Sequence, residues 1–297
     1  MLICGGSHNS FTYALKSKWH VAVDQGRWIR RIDCPWVRKT ICRWATCQNI
    51  DVMRQLMIGV RFFDVRVAIH HPTSNSTISD DFYAVHGLYG ERMIDAFRQI
   101  VSFLKAHPDE LVILDINHFY NFSISDHARL LHVIASSFDS MLCPSGNNLH
   151  LDDVTLDMLR QSHRQAIVFY QAEQRTALDT LNVTWPRRFI VSPWANTNSL
   201  TKLFAFLERT LAVRDQLLPE GGVFVVQSIL TPHAVDVVLH LRSSLQQRIA
   251  LNTTEQTVKW LRAGQRESVW PFTAAVVLVD FVNFPDFCRT VVNMNLL

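Results

Sequence analysis

Certain polar residues recur at the ends of apolar runs in this 297-residue chain: His8 with Asn9, Asp64 with Arg66, His86 with Gly87, Asp115 with Asn117, Gln227 and Asp280. Their types suit proton transfer and anion binding. Imidazole titrates near neutrality, carboxylates orient or accept protons, and guanidinium offers a planar donor fork that stays charged. Within Arg61 to Val67 (RFFDVRV), period-two alternation puts Phe62, Asp64 and Arg66 on one face and Phe63, Val65 and Val67 on the other. An inward charged pair in so apolar a strand is costly unless it is paired or functional.

The elements that must carry these groups read as short apolar runs separated by helical stretches, the pattern of a parallel sheet under crossover helices. Strands are predicted near Leu2 to Cys4, Gly59 to Val67, Tyr83 to His86, Leu111 to Ile116, Ala166 to Tyr170, Phe189 to Val191, Gly222 to Gln227 and Ala275 to Asp280. Each polar group then falls at or just past a strand's C-terminal end, the rim where catalytic groups of an α/β barrel converge. Met93, Ile94, Phe97, Ile100, Val101 and Leu104 share one helical face, predicting a crossover helix over Glu91 to Leu104. Pro285 is expected in the first turn of a last helix that buries Phe287, Cys288, Val291 and Val292. A long insert separates the first two strands, so a perfectly regular barrel is not expected.

Composition narrows the class. Hydrophobic residues make up 48% and charged residues 19%, enough for a substantial core and against disorder. The net charge of +3 is too small for an overall nucleic-acid signature. Six cysteines (Cys4, Cys34, Cys42, Cys47, Cys143 and Cys288) lack zinc-ribbon spacing, which points to a reducing, cytoplasmic setting. No apolar stretch reaches membrane-spanning length. With no clear interdomain linker, residues 1–297 are expected to form one domain, with room for a short N-terminal segment upstream. Sequons at Asn75, Asn121, Asn182 and Asn252 would matter only if such a segment directed secretion.

The segments GSHNSFTY, QLMIGVRFFDVRV, VHGLYG, HPDELVILDINHFY and VVLVDFV, in this order, resemble the X domain of phosphatidylinositol-specific phospholipase C. With WANTNS and SILTPH, the chain is most similar to the single-domain eukaryotic X-domain-containing proteins. The resemblance covers nearly the whole chain. It implies an irregular TIM-type (β/α)8 barrel and phosphodiester cleavage beside an inositol ring.

By that resemblance His8 takes the proton of the inositol 2-hydroxyl, which attacks phosphorus, and His86 protonates the departing diacylglycerol oxygen. Arg66 holds phosphoryl oxygens, Asp280 orients His8, and Asp64 positions Arg66 or the attacking hydroxyl. Asn9, Asp115 and Gln227 are the implied substrate contacts. Calcium-dependent members gather oxygen ligands, whereas bacterial members use an arginine, and this chain has Arg66. Phe62 stands where the calcium branch carries a glutamate. Calcium is therefore disfavoured, and no cofactor is expected, although Asn9, Asp64 and Asp115 match the remaining ligand positions of a weak site. His118, His127, His132, His150 and His163 are expected to decorate helices and loops. Arg27 to Trp44 mixes Arg27, Arg30, Arg31, Arg38, Lys39 and Arg43 with Trp28, Trp36 and Trp44, a composition suited to transient contact with an anionic membrane. The implied partner is an inositol phospholipid at a membrane surface. A catalytically weak lipid-binding or scaffold protein, and a phosphodiesterase for another glycerophosphodiester, are the alternatives.

Overall fold

The computed structural model describes residues 3–70, 81–146, 150–179, 182–218, 222–267 and 275–296. Nine strands carry the site: β1 (Cys4–Ser7), β2 (Val60–His70), β3 (Asp81–His86), β4 (Leu88–Arg92), β5 (Val112–Tyr120), β6 (Ala166–Tyr170), β7 (Ile190–Val191), β8 (Val223–Gln227) and β9 (Ala275–Val279). Seven of them run parallel: β7, β8, β9, β1, β2, β5 and β6 are joined in that order. Among the described residues no ladder joins β6 to β7. Instead Trp185, on the way to β7, donates its backbone N–H to Val168 and accepts that of Tyr170. The result is an irregular TIM-type barrel. The predicted Leu2 lies outside the described residues, as does Asn75.

The other two strands depart from the sequence expectation. The run predicted over Tyr83 to His86 is antiparallel to β2, and β4 turns straight back on it. The physical reason is the length of β2. Its 11 residues outrun the barrel, and β3 pairs with the overhang, from His70 opposite Asp81 to Val67 opposite Ala84. β3 therefore returns towards the barrel and delivers His86 there. Gly87 makes the turn at φ +70°, where a Cβ would also lie 2.6 Å from Ile41.

Alternation along β2 sorts two cores. Phe63, Val65, Val67 and Ile69 face outward into one apolar layer with Phe97, Ile100 and Leu104 of the helix Met93–Ala106 and with Leu130, Ile134 and Phe138 of the helix Ile124–Phe138. The first of these helices starts two residues later than predicted because residues 88–92 are in β4. Phe62 faces inward and plugs the barrel with Ile167, Phe169, Val276 and Leu278. Gly6 is required in this plug, since a Cβ there would approach Val276 to 2.7 Å and Phe62 to 3.1 Å. The last helix, Phe287–Asn293, buries Phe287, Cys288 and Val291. Val292 is exposed instead, and Pro285 lies before the Asp286 cap rather than in the first turn. Val292, one turn past Cys288, lies over Gly59, which carries no side chain to cover it.

The insert between β1 and β2 is stitched to the barrel top. Gln48 donates to the carbonyls of His8 and Val279 (3.1 Å each) and accepts from the Val282 N–H (3.0 Å). Phe281 N–H reaches the Cys47 carbonyl at 2.8 Å. All six cysteines are free thiols. Among the described residues no helix is long and apolar enough to cross a membrane.

Candidate active site

His8 follows β1 directly, and its N–H continues the ladder by donating to Val279 (3.0 Å). Asp280 follows β9, so the β1/β9 register sets the two side chains side by side. The His8 Nδ1–H donates to Asp280 Oδ1 at 2.7 Å. That bond fixes the tautomer and leaves the Nε2 lone pair available. Asn9 Nδ2 lies 3.0 Å from Nε2, and Asp64 Oδ2 3.9 Å away.

His86 reaches the same place from the β3–β4 turn. Its Nδ1–H donates to the Ala45 carbonyl at 2.7 Å, which turns Nε2 away from the insert. The two imidazoles stand edge to face with centroids 6.4 Å apart. Burial, and then the neighbouring Arg66 guanidinium, pushes the His86 conjugate acid down to about 3. His86 is thus neutral in the free protein.

Beside the histidines a cavity of about 220 Å3 opens among Asp64, Arg66, Asp115 and Gln227. Burial alone would raise Asp64, yet the neighbouring His8 ring and Arg66 guanidinium, with hydrogen bonds from the Asn9 N–H (2.8 Å) and Asn117 (2.5 Å), hold it below the usual range. Asp115 behaves oppositely. Burial, and then repulsion from Asp64, raises it to about 7, against donation from Gln171 (2.5 Å) and Asn117 (3.1 Å). Gln227 spends its amide N–H groups on Ser192, at 2.8 and 2.9 Å. Of the eight buried side-chain polar atoms without a hydrogen-bond partner among the described residues, two belong to the site, Arg66 Nε and Asn9 Oδ1. Each such atom costs about 1–3 kcal/mol, which a fold retains where a ligand can satisfy it. All eight residues singled out from the sequence therefore meet at one end of the barrel.

Sequence reasoning missed several neighbours. His118 lines the cavity rather than decorating a loop, and His127 is buried against the Tyr170 hydroxyl at 2.8 Å. Since β5 runs on to Tyr120, the inward period of Asp115 and Asn117 places His118 past the Val65/Arg66 irregularity of the β2–β5 pairing. Arg187, Ser192 and Gln171 line the cavity too. Cys47 sits behind the histidines with Sγ 3.7 Å from His86 Nδ1 and 3.6 Å from Asn9 Nδ2. Burial pushes its thiol up, so it stays protonated. Only long-range contacts bring these groups in, and no local pattern marks them.

The oxygen set does not suit calcium. That ion takes six to eight oxygen ligands. Both carboxylates already accept amide N–H bonds, Phe62 offers no oxygen, and the Arg66 guanidinium shares the cavity. Only Asn9 Oδ1 lacks a partner in the implied set.

The basic, tryptophan-rich segment divides. Trp28 and Trp36 are 68% and 55% exposed, whereas Trp44 is buried at 6% and belongs to the core. Arg43 turns inward to the Leu241 carbonyl (2.6 Å), and Arg38 pairs with Asp33.

No family model matches the chain. Among curated proteins it is 32% identical over 291 residues to PI-PLC X domain-containing protein 2 of Mus musculus, covering 98% of this chain and 81% of that one. It is 34% identical over 260 residues to the Homo sapiens protein of the same name, covering 87% and 79%. Among solved structures, the phosphatidylinositol-specific phospholipase C from Listeria monocytogenes superposes with a TM-score of 0.66 at 14% identity, over 99% of this chain and 93% of that one. That likeness is one of fold.

Proposed function

The chain belongs to the family of PI-PLC X domain-containing proteins, and from that premise we propose that it is a phosphoric diester hydrolase that cleaves inositol phospholipids at the diacylglycerol oxygen. The observation that carries this reading is the His8–Asp280 pair, 2.7 Å apart, beside a cavity that also holds Arg66 and faces a second, neutral histidine. His8 Nε2 takes the proton of the ring 2-hydroxyl, and the freed oxygen attacks phosphorus. Arg66, whose Nε is unsatisfied, receives a phosphoryl oxygen and stabilises the charge that grows in the transition state. The bond to the diacylglycerol oxygen breaks as His86 delivers a proton to it.

For that delivery His86 must first gain a proton. A bound phosphodiester supplies the negative charge that offsets Arg66, so substrate binding raises the imidazole from its low free value. Water then opens the cyclic phosphate with the two histidines in exchanged roles. The substrate hydroxyl is the nucleophile, so no bond forms to the protein. Asp64 positions Asn9 and Asn117 by accepting from both. Asp115, Gln227 and Asn9 Oδ1 contact ring hydroxyls, and no calcium is required.

The same reading treats the whole chain as one catalytic barrel working in a reducing, cytoplasmic compartment with transient membrane contact. Arg27, Arg30, Arg31 and Lys39 meet anionic headgroups while Trp28 and Trp36 enter the interface. The helix Ala234–Leu239, which follows β8 on the same rim, adds exposed Val235, Val238 and Leu239. Charge reversal at Arg27, Arg30 and Arg31 is expected to weaken sedimentation with anionic vesicles, and unchanged sedimentation removes this contact from the account.

The activity is tested by diacylglycerol release from phosphatidylinositol micelles in excess chelator, beside an analogue whose 2-hydroxyl is methylated. Release from the first and none from the second is expected. Equal cleavage of both would point to another phosphodiester chemistry.

A further inference from the structure

Cys47 has no part in the chemistry above, yet the insert sets its thiol against the catalytic centre. His8, Cys47 and Asp280 each present one donor atom, and these atoms all lie within 4.8 Å of one another. A tetrahedral ion with bonds of about 2.0 to 2.3 Å holds its ligands roughly 3.3 to 3.8 Å apart, so small inward shifts close the set. Sulfur, imidazole and carboxylate together are the ligands of zinc-like ions, and thiolate sulfur disfavours calcium or magnesium. Charge agrees with this choice. One thiolate and one carboxylate neutralise a divalent ion, so the occupied site is neutral as a whole and sets no net positive charge beside Arg66. Cys47 is 1% and Asp280 3% exposed, while the His8 side chain is 12% exposed and marks the way in. His86 Nδ1 is engaged with Ala45, which leaves three protein ligands and one open position.

We propose that His8, Cys47 and Asp280 form a binding site for a thiophilic divalent cation of the zinc type, and that its occupancy switches hydrolysis off. Binding releases the Cys47 thiol proton to solvent and engages an imidazole nitrogen of His8. At Nε2 the ion takes the lone pair that base catalysis uses. At Nδ1 it displaces the Asp280 hydrogen bond and drives the ring proton to Nε2. Either arrangement removes the base. The binding claim stands alone, whereas the inhibition claim rests on the hydrolase reading above.

Cobalt(II) is the probe, because a thiolate ligand gives it a near-ultraviolet charge-transfer band and tetrahedral coordination intensifies its visible bands. Titration of the full chain is expected to saturate at one cobalt with both signatures. Cys47→Ser loses the charge-transfer band, and Cys34→Ser, changed at an exposed thiol, keeps it. His8→Ala keeps the sulfur and still shows the band at saturation, with affinity lowered at least about tenfold. Zinc, set by a metal buffer, is expected to suppress wild-type hydrolysis reversibly. Half-inhibition of Cys47→Ser, scaled to its own activity in chelator, requires at least about tenfold more zinc. Absence of the band, or its survival in Cys47→Ser, refutes the site. Saturation with cobalt while zinc leaves hydrolysis unchanged refutes the switch. A saturating band in a protein without hydrolysis in chelator upholds the site and overturns the hydrolase reading instead.

Discussion

The two faces of β2 share a backbone and differ in almost everything else. Outward, Phe63, Val65, Val67 and Ile69 are fully enclosed by apolar neighbours from the covering helices. Inward, Asp64 and Arg66 face a polar cavity, one held below its usual pKa and the other keeping an unsatisfied buried Nε. The outer face supplies stability through close packing. The inner face gives some of it up to hold charge where a ligand can meet it. A strand's period of two lets one short sequence serve both ends without compromise, because a change on one face leaves the other in place.

The largest effect is expected on the inner side. His8→Ala lowers turnover by about 10^3 to 10^4 while the chain still folds cooperatively, which rate assays and thermal melts check together. A proportional loss of both would tie the faces together and break the comparison. Next, on the outer side, Phe63→Ala costs about 3–5 kcal/mol in denaturant unfolding, with little change in kcat of the folded fraction.

Arg66→Met isolates the inner face further. Turnover falls by about 10^2 to 10^3, yet stability shifts by no more than about 1 kcal/mol, because loss of the unpartnered guanidinium nitrogen offsets the lost attraction to Asp64. A large loss of stability would show Arg66 to be a structural brace.

The smallest effect is electrostatic. Asp115, raised from 3.8 to about 7, keeps a proton in the native state that the unfolded chain has lost. Its contribution to stability therefore declines as pH rises through that window. His86, lowered from 6.5 to about 3, does the opposite: the unfolded chain binds the extra proton, so stability rises with pH. The two slopes oppose each other in the wild type. Asp115→Asn leaves that of His86, and melting temperatures of the variant relative to wild type are expected to climb between about pH 4 and 6.5.

The inner and outer faces of β2 were legible because alternation is local. His8 and Asp280 were legible because each ends a strand, and the motif series places them in a family with a known order of strands. The direction of β3 was not, since an apolar run reads alike in both directions and only the overhang of β2 reverses it. β4 was hidden by helical spacing that begins inside it. Cys47, Arg187 and Ser192 reach the site through contacts that no spacing encodes. Trp44 read as interfacial from composition alone, and its burial follows from which face of the helix Pro35–Ala45 meets the barrel.

The central claim is that this inner face performs cyclising phosphodiester cleavage with two histidines and no metal. Phosphorus NMR of the purified chain with phosphatidylinositol micelles in excess chelator tests it most directly, beside His8→Ala and His86→Ala. A cyclic inositol phosphate resonance from the wild type, absent from both variants, is the predicted result. A silent spectrum from folded wild-type protein, or a resonance that survives in either variant, would contradict it.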